Sequence, residues 1–510
     1  MKKSVVSILL AFTLLFVHAV SGKSPVKTKK SYRYQVSHFE NVLGTSMELK
    51  FATNSEKQAQ LAETAALNEI ARLSNILSAY DATSEFSQWM KTHQVAVPVS
   101  HDLYQLLNLF GQWHDKTNGA IDASAEVINQ VWKNAATKNV LPNDAAIKNA
   151  VAIAQQAHWV LNAANQTAAH TSYASLKMNS FAKSYIIKSA ANAAMKAAKI
   201  DGIIVNIGGD IVITGEVAEI VQISDPKADG ENDAPMETIL VQNKAVATSG
   251  NYRRGEMILE QWYSHIVDPR TGMPANDIIS ATVVASNATD AGALATAFNV
   301  LSTTESIALA ATMPEVDYLI ITRDGKKIES AHWNSLRVLN STNISNQVNE
   351  QLTAEKEWKN ELIINIELVQ HQGVARRPFA AYWIEDKDGN VVKTMALWFN
   401  KPKWIPDMKE WYRKKGAEMK ANPAGYSSIT SATRSPGKYT LKWDGKDDAG
   451  NSLPTGTYKV FLEVVREHGA YEILQQEIEC KKKEQRFQLQ GSKEVSAVSI
   501  DYKKKSNEAN

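Results

Sequence analysis

The richest polar stretch of this chain runs from Val246 to Pro274. It gathers the hydroxyls of Thr248 and Ser249, Gly250, the guanidinium groups of Arg253, Arg254 and Arg270, the imidazole of His265 and the carboxylate of Asp268, with few apolar residues between them. Planar guanidinium donors match phosphate oxygens. An imidazole titrates near neutral pH and can hold or release a proton where one must move. On this reading Thr248, Ser249 and Gly250 make a tight turn of hydroxyl and backbone donors, and the stretch takes an anionic ligand. The same residues also read as a loop between strands, with Asp268-Pro269 and Thr271-Gly272 as its turn chemistry.

A second stretch covers residues 201–215. Ile203, Ile204, Val205 and Ile207 form a short β-branched run that reads as a buried strand, and a second apolar run, Ile211 to Ile213, follows. Between them stand Gly208, Gly209 and Asp210. Adjacent glycines permit positive φ and close backbone approach, either as a plain β-turn or as a surface for a flat or phosphorylated ligand. They are not a dinucleotide fingerprint, because no helix start follows them.

These stretches need elements to hold them. Leu67, Ile70, Leu73, Leu77 and Tyr80 fall at helical spacing and predict an amphipathic helix over 61–80. Further helices are expected over 103–113, the alanine-rich 143–161, 182–199 and 292–301, and strands over 202–207, 211–213, 219–223, 238–241 and 278–285. Helices mixed with strands in this way imply an α+β domain.

Composition changes after about residue 340. Residues 341–359 are polar and read as a linker. From Glu361 onward short strands alternate with turns, which implies a β-sandwich over 360–498, with a charged, unstructured tail at 499–510. Asp444, Asp447 and Asp448 lack the ligand rhythm of a calcium loop and read as turn residues. Six tryptophans between Trp358 and Trp443 read mainly as core.

The N-terminus carries Lys2 and Lys3, an apolar run from Val5 to Val17, then Ala19, Ser21 and Gly22. This is the pattern of a cleavable signal peptide over 1–22, and the run is short for a membrane span. No later stretch reads as transmembrane. The only cysteine is Cys480, so no intrachain disulfide forms. A nearly cysteine-free exported chain fits a bacterial periplasm. The net charge of +2 is balanced once Lys2 and Lys3 are set aside, which argues against nucleic acid as a partner.

Taken together, the motifs resemble the ApbE family of FAD:protein FMN transferases. Asn-Ile-Gly-Gly-Asp at 206–210, Thr-Ser-Gly-Asn-Tyr at 248–252 and His-Ile-Val-Asp-Pro-Arg-Thr-Gly at 265–272 look like three signature blocks. Gly-Thr-Ser at 44–46, Ser-Ala-Tyr-Asp through Ser-Glu at 78–85, Thr-Asn-Gly-Ala-Ile-Asp at 117–122, Phe-Ala-Lys-Ser-Tyr at 181–185 and Ala-Leu-Ala-Thr-Ala at 293–297 follow in the family order. The likeness spans roughly 35–340 and implies an ApbE-like transferase domain over 30–340. Residues 443–458 resemble the Ig-like repeat of flagellar hook-capping proteins, so the C-terminal sandwich is expected to be Ig-like, and the whole C-terminal segment, including 432–437, resembles a small domain of unassigned function that often accompanies periplasmic flavoproteins.

The resemblance implies FAD as substrate, Mg2+ as cofactor and, as partner, an extracytoplasmic flavoprotein with a target threonine. FMN would pass to that threonine with release of AMP. It implies catalytic roles for His265 and Asp268. Flavin-nucleotide contacts would come from Tyr80, Ala120, Ile121, Asp122, Lys183, Gly208, Gly209, Asp210, Thr248, Ser249, Gly250 and Ile266, and metal contacts from Ser180, Asp290 and Thr296. Three positions depart from the family pattern. Lys177 stands where an Asp is usual, Ser184 follows the Ala-Lys pair in place of Gly, and Gly292 replaces the magnesium carboxylate four residues before Thr296. Asp290 then has to fill in, or Lys177 supplies positive charge where the metal is missing. The alternative is a FAD-binding carrier of periplasmic electron transfer that has lost transfer.

Overall fold

The computed structural model describes residues 33–338, 358–371, 376–426, 428–481 and 483–505. Residues 1–22, expected to be a signal peptide, and most of the expected linker lie outside the described residues.

The N-terminal domain is built on an eight-stranded antiparallel sheet whose spatial order is its sequence order. Its strands are β1 (Tyr34–Val42), β2 (Thr45–Ala52), β3 (Gly202–Ile207), β4 (Asp210–Gly215), β5 (Ala245–Gly250), β6 (Ile278–Ala285), β7 (Asp317–Thr322) and β8 (Lys327–Glu329). One face packs on α1 (Glu56–Leu77), α2 (His101–Lys116), α5 (Ala182–Ala197) and α6 (Ala288–Val300), through Leu49, Phe51, Leu73, Phe110, Ile187, Val205 and Leu294. Two more helices, α3 (Ala125–Lys138) and α4 (Asp144–Ala154), form a satellite layer around Ile128 and Trp132 that carries the loop after residue 264.

The amphipathic and buried periodicities place these helices within a few residues. Ser55 caps α1, its side chain accepting from the Gln58 N–H, which starts the helix earlier than its apolar stripe. The alanine-rich segment does not stay helical to 161. It ends at Ala154, and Trp159–Asn162 is a strand paired with Thr167–His170. Thr248, Ser249 and Gly250 are not a turn. They complete β5, and Gly250 lies opposite Ser280 in the ladder.

The C-terminal region is two sheets around one core. The first has the order β13 (Gly437–Trp443), β9 (Asn360–Leu368), β17 (Val495–Lys504), β16 (Gln485–Gln490). The second has the order β12 (Thr430–Ser431), β11 (Val391–Trp398), β10 (Phe379–Glu385), β14 (Gly456–Val465), β15 (Tyr471–Cys480). The expected tail is a strand as far as Lys504. Ile500 and Tyr502 alternate with Ser499 and Asp501, bury their side chains, and pair with both neighbours. The sandwich also begins before 360. Trp358, placed in the linker by its polar flanks, packs on Trp443, Tyr458 and Tyr502 and donates its indole N–H to the Leu453 carbonyl. A helix, α7 (Lys409–Ala421), interrupts the strands, with Trp411 buried against the second sheet. Asp444, Asp447 and Asp448 each accept a backbone N–H, of Lys446, Asn451 and Thr394 respectively, as turn residues do. Cys480 closes β15, buried, and burial pushes its thiol up to about 12, so it is unreactive.

The two regions are joined by directed polar contacts. Asn232, between strands 218–223 and 237–242, donates to the Lys442 carbonyl at 2.7 Å and accepts from the Lys442 N–H at 2.8 Å, while the Glu231 N–H donates to the Thr440 carbonyl at 2.7 Å. A loop of the first domain thereby covers the open edge of β13. Arg377 pairs with Glu40, Lys401 with Glu63 and Arg434 with Glu231. His38 sits at this junction. Its N–H donates to the Asn400 carbonyl, its ring meets Phe399 edge-on, and its Nε2 has no partner among the described residues.

Burial, with the charges of Lys50 and Arg434 nearby, pushes the His38 imidazole from its ordinary 6.5 down to about 4. Between those values the unfolded chain binds the extra proton. Stability from the neutral ring is therefore fully present above pH 6.5 and is lost as pH falls toward 4, by roughly 3 kcal/mol. Urea midpoints measured from pH 7.5 to 4.5 should fall more steeply for the natural protein than for His38→Gln. Parallel slopes would contradict this reading.

Candidate active site

The site begins at the β3–β4 hairpin. Gly208 and Gly209 have φ of 58° and 90°, the positive values of a two-residue hairpin turn. A Cβ on Gly208 would lie 2.6 Å from Thr45 Cγ2, so the turn needs glycine to lie against the β1–β2 turn. Over Gly209 there is open space. The tight-turn reading holds: the Gly208 N–H donates to the Ser46 carbonyl at 3.0 Å and the Gly209 N–H to Asn206 Oδ1 at 3.1 Å, so both amides are used within the fold.

Asp210 follows, and its buried carboxylate ties three elements together. Lys183 Nζ lies 3.0 Å from Asp210 Oδ2, the Ser184 hydroxyl donates to the same oxygen at 3.5 Å, and the Thr248 N–H bonds the carboxylate from β5. Burial raises the carboxyl's pKa, against the opposing pull of Lys183. Lys183 and Ser184 belong to the first turn of α5, which has no side-chain cap and begins at Phe181, stacked on Phe110. From β5 the Thr248 hydroxyl meets that of Thr282 at 2.9 Å, and the Ser249 carbonyl accepts from Asn299 of α6.

A second group surrounds Tyr80. Tyr80 is 73% exposed, its hydroxyl held by Asn179 at 2.8 Å, with Lys177 Nζ 5.0 Å over the ring. Lys177 pairs with Glu126 at 2.9 Å, and Lys133 reaches the same carboxylate at 3.4 Å. The Tyr80 ring is held from its edge by the Asn179 hydrogen bond and presents a flat surface to solvent. Lys177 is thus committed to Glu126 and Tyr80. Glu126 and Asn179 carry no motif, and only the fold reveals their part.

The third group is the 265–272 turn. His265 Nδ1 lies 3.0 Å from the Arg254 carbonyl, which can only accept, so Nδ1 carries the proton and Nε2 is the basic nitrogen. Burial, then the charges of Arg254 and Lys133, lower its pKa, while the bond to Arg254 opposes them. Asp268 differs from expectation. Its carboxylate is filled by Arg270, which forks onto both oxygens at 2.8–3.2 Å, and by the Arg270 N–H. Arg270 also pairs with Glu305. Asp268 therefore builds the turn rather than offering a free base. Trp132 donates its indole N–H to the Gly272 carbonyl, seating the turn on α3. Ile266 is half-buried, with its backbone bonded to Ser264 and Ala275.

Among the other expected contacts, Ala120 and Ile121 are buried at 3% and 1% exposure, backbone included, and their N–H groups donate to the Thr117 carbonyl and hydroxyl. Asp122 accepts from the Ser124 N–H and hydroxyl and lies 3.4 Å from His114 Nε2. Gly250 lies under the Tyr252 ring, where a Cβ would come within 2.4 Å.

The expected metal set does not assemble. The Thr296 hydroxyl donates to the Ser180 carbonyl at 3.1 Å, so those two oxygens do converge. Asp290 does not join them. It is six residues before Thr296 on α6, about 240° around the helix and ~9 Å along it, where the charges of Lys116 and Glu315 act on it. Among the described residues no group of three or more His, Cys, Asp or Glu is arranged to hold a metal. A magnesium site wants hard, charged oxygens, and two neutral oxygens bonded to each other do not fit it.

The ApbE family profile matches residues 43–320. This chain belongs to the ApbE family. Curated relatives of this ApbE-family chain include the FAD:protein FMN transferase of Treponema pallidum (strain Nichols), 30% identical over 254 residues, covering 46% of this chain and 69% of the relative. That of Vibrio cholerae serotype O1 is 27% identical over 300 residues, covering 56% and 87%. The crystal structure of the ApbE protein from Thermotoga maritima superposes with a TM-score of 0.54 at 24% identity, over 61% of this chain and 100% of its own. The apo flavinyl transferase ApbE of Pseudomonas stutzeri gives 0.51 at 18%, over 61% and 99%. At these identities the superpositions establish the fold. Residues 361–497 match a second family, described as a predicted periplasmic protein (DUF2271). No helix among the described residues is long and apolar enough to cross a membrane.

The geometry of the turn makes Asp268 and Arg270 one unit. Asp268→Asn and Arg270→Ala should each lower stability by roughly 1.5–3 kcal/mol, the range for hydrogen bonds to charged groups, and the double variant by little more than either alone. Additive losses in a thermal-melt cycle would show that the fork holds nothing in place.

Proposed function

We propose that this chain is an FAD:protein FMN transferase acting outside the cytoplasm. The observation that carries the reading is the meeting of the Gly-Gly-Asp hairpin with Lys183 and β5, and Tyr80 presents an exposed ring. The first is a cationic place for a diphosphate and the second a platform for a flat ring. The names of the curated relatives support the substrate. The predicted-periplasmic description of the second family, and the signal-peptide pattern, support the location. We read the C-terminal sandwich as Ig-like from the 443–458 motif.

In the reaction, the hydroxyl oxygen of an acceptor threonine attacks the FMN-side phosphorus of FAD. A new phosphorus–oxygen bond forms, the bond to the AMP phosphate breaks, and AMP leaves. His265 Nε2 takes the hydroxyl proton. Its protonated Nδ1 is fixed on the Arg254 carbonyl, which keeps Nε2 available. Lys183, Arg253 and Arg254 supply positive charge for the diphosphate. Gly208, Gly209, Thr248 and Ser249 offer backbone and hydroxyl contacts, and Tyr80 faces the isoalloxazine. No step is assigned to magnesium, because the oxygens that would hold it do not assemble.

Gly292, standing where a metal carboxylate is implied, favours a second reading: a carrier that binds FAD and leaves it intact. Mixing the full chain with FAD and a threonine-bearing flavoprotein domain, then following in-gel flavin fluorescence and AMP release, separates the two. A fluorescent acceptor band with AMP supports the transferase. FAD binding without AMP supports the carrier, and no FAD binding contradicts both. The transfer rate should rise with pH and level off at an inflection below the ordinary imidazole value, since the base must be neutral. His265→Gln should slow transfer about 100-fold or more and remove that inflection. An unchanged profile would remove His265 from this role.

A further inference from the structure

The position where a divalent cation would sit is closed in this chain, and the manner of closure points to a replacement. Gly292 lies one turn before Thr296 on α6 and faces the start of α5. A Cβ built on it would lie 2.3 Å from Ser184 Oγ, 3.1 Å from Ser184 Cβ and 3.3 Å from Phe181 Cβ. A side chain at 292 would therefore press on Ser184, whose hydroxyl must swing away to admit it. Both residues depart from the family pattern, and they depart at one contact. The residue that gained a side chain occupies the space of the one that lost it.

The exchange fills the volume and removes a negative charge. The oxygens left nearby, the Ser180 carbonyl and the Thr296 hydroxyl, are neutral and satisfy each other. Asp290 is on another side of α6. Asp210, the carboxylate that Ser184 touches, is already bonded by Lys183 and by the Thr248 N–H. The cation that meets Asp210 is the Lys183 ammonium, which is part of the chain itself. Lys183 precedes Ser184 in the first turn of α5, its side chain is 31% exposed, and its ammonium has three N–H donors, of which Asp210 takes one.

We propose that the Ser184–Gly292 contact is a paired exchange that shuts the divalent-cation position, and that this chain binds the diphosphate of FAD without a divalent cation, with the Lys183 ammonium as the fixed positive charge. The inference rests on the FAD reading given above and specifies the electrostatics of that same site. Lys183 here positions and neutralises the ligand. The Ser184 hydroxyl packs the space that a metal and its carboxylate would need.

The test is FAD affinity of the full chain, read by flavin fluorescence, in magnesium and in EDTA. For the natural protein the two dissociation constants should agree within about twofold, against the tenfold that a 1.4 kcal/mol coupling would give. Lys183→Gln should weaken binding about tenfold in both buffers, and Lys183→Arg should retain most of it. Gly292→Asp alone should melt below the natural protein because of the clash with Ser184. Ser184→Gly/Gly292→Asp should recover the melting temperature and bind FAD tighter in magnesium than in EDTA. A tenfold loss of natural-protein affinity in EDTA would overturn the proposal while leaving the FAD reading intact. A folded double variant indifferent to magnesium would overturn the paired exchange. Absence of FAD binding by the natural protein in either buffer would remove the FAD reading and this inference with it.

Discussion

The buried carboxylate of Asp210 is the constraint on which the site depends. It stands at the first residue of β4, just past two glycines whose positive φ lets the hairpin turn inside two residues. A charge removed from water has to be met, and it is met from two directions, by the α5 ammonium and hydroxyl and by the β5 amide. Stranding it would cost about 3–5 kcal/mol. The hairpin, the start of α5 and the end of β5 are thus fixed relative to one another before any ligand arrives. That holds the Lys183 ammonium against the residue that follows Gly209.

Around that point the other motif blocks are held by ordinary structural bonds. Trp132 anchors the 265–272 turn through Gly272, Asp268 and Arg270 brace it, and the Arg254 carbonyl orients His265. A Cβ on Gly119 would lie 3.7 Å from Arg270, so the 117–122 block lies against this turn. Several residues that a motif scan assigns to a ligand instead keep the scaffold rigid, and preorganisation of the remaining few depends on them. The C-terminal sandwich is docked on the same scaffold through β1, α1 and the Asn232 loop, so it is carried as a fixed extension.

Legibility in the sequence followed physical locality. The 203–207 run, the glycine pair and the amphipathic stripes of α1 and α5 announce themselves through neighbouring residues, and the structure places them accordingly. The ordered blocks made the family legible where spacing alone left a loop and a ligand site open. What failed depended on distant partners. Thr248–Gly250 looks like a turn by composition, yet its pairing with β6 makes it a strand. Trp358 looks like linker until Tyr502 arrives 144 residues later to cover it, and β17 looks like a charged tail until its apolar face meets β9. Asp290 was the nearest carboxylate in sequence, but helix geometry turns it away from Thr296.

The account stands or falls on where the ligand lies. A crystal structure of the full chain grown with FAD addresses this directly. The account predicts the diphosphate within hydrogen-bond distance of Lys183 and over Gly209, with the isoalloxazine on the Tyr80 ring. A flavin bound elsewhere, with the Lys183 ammonium still facing Asp210 alone, would contradict it.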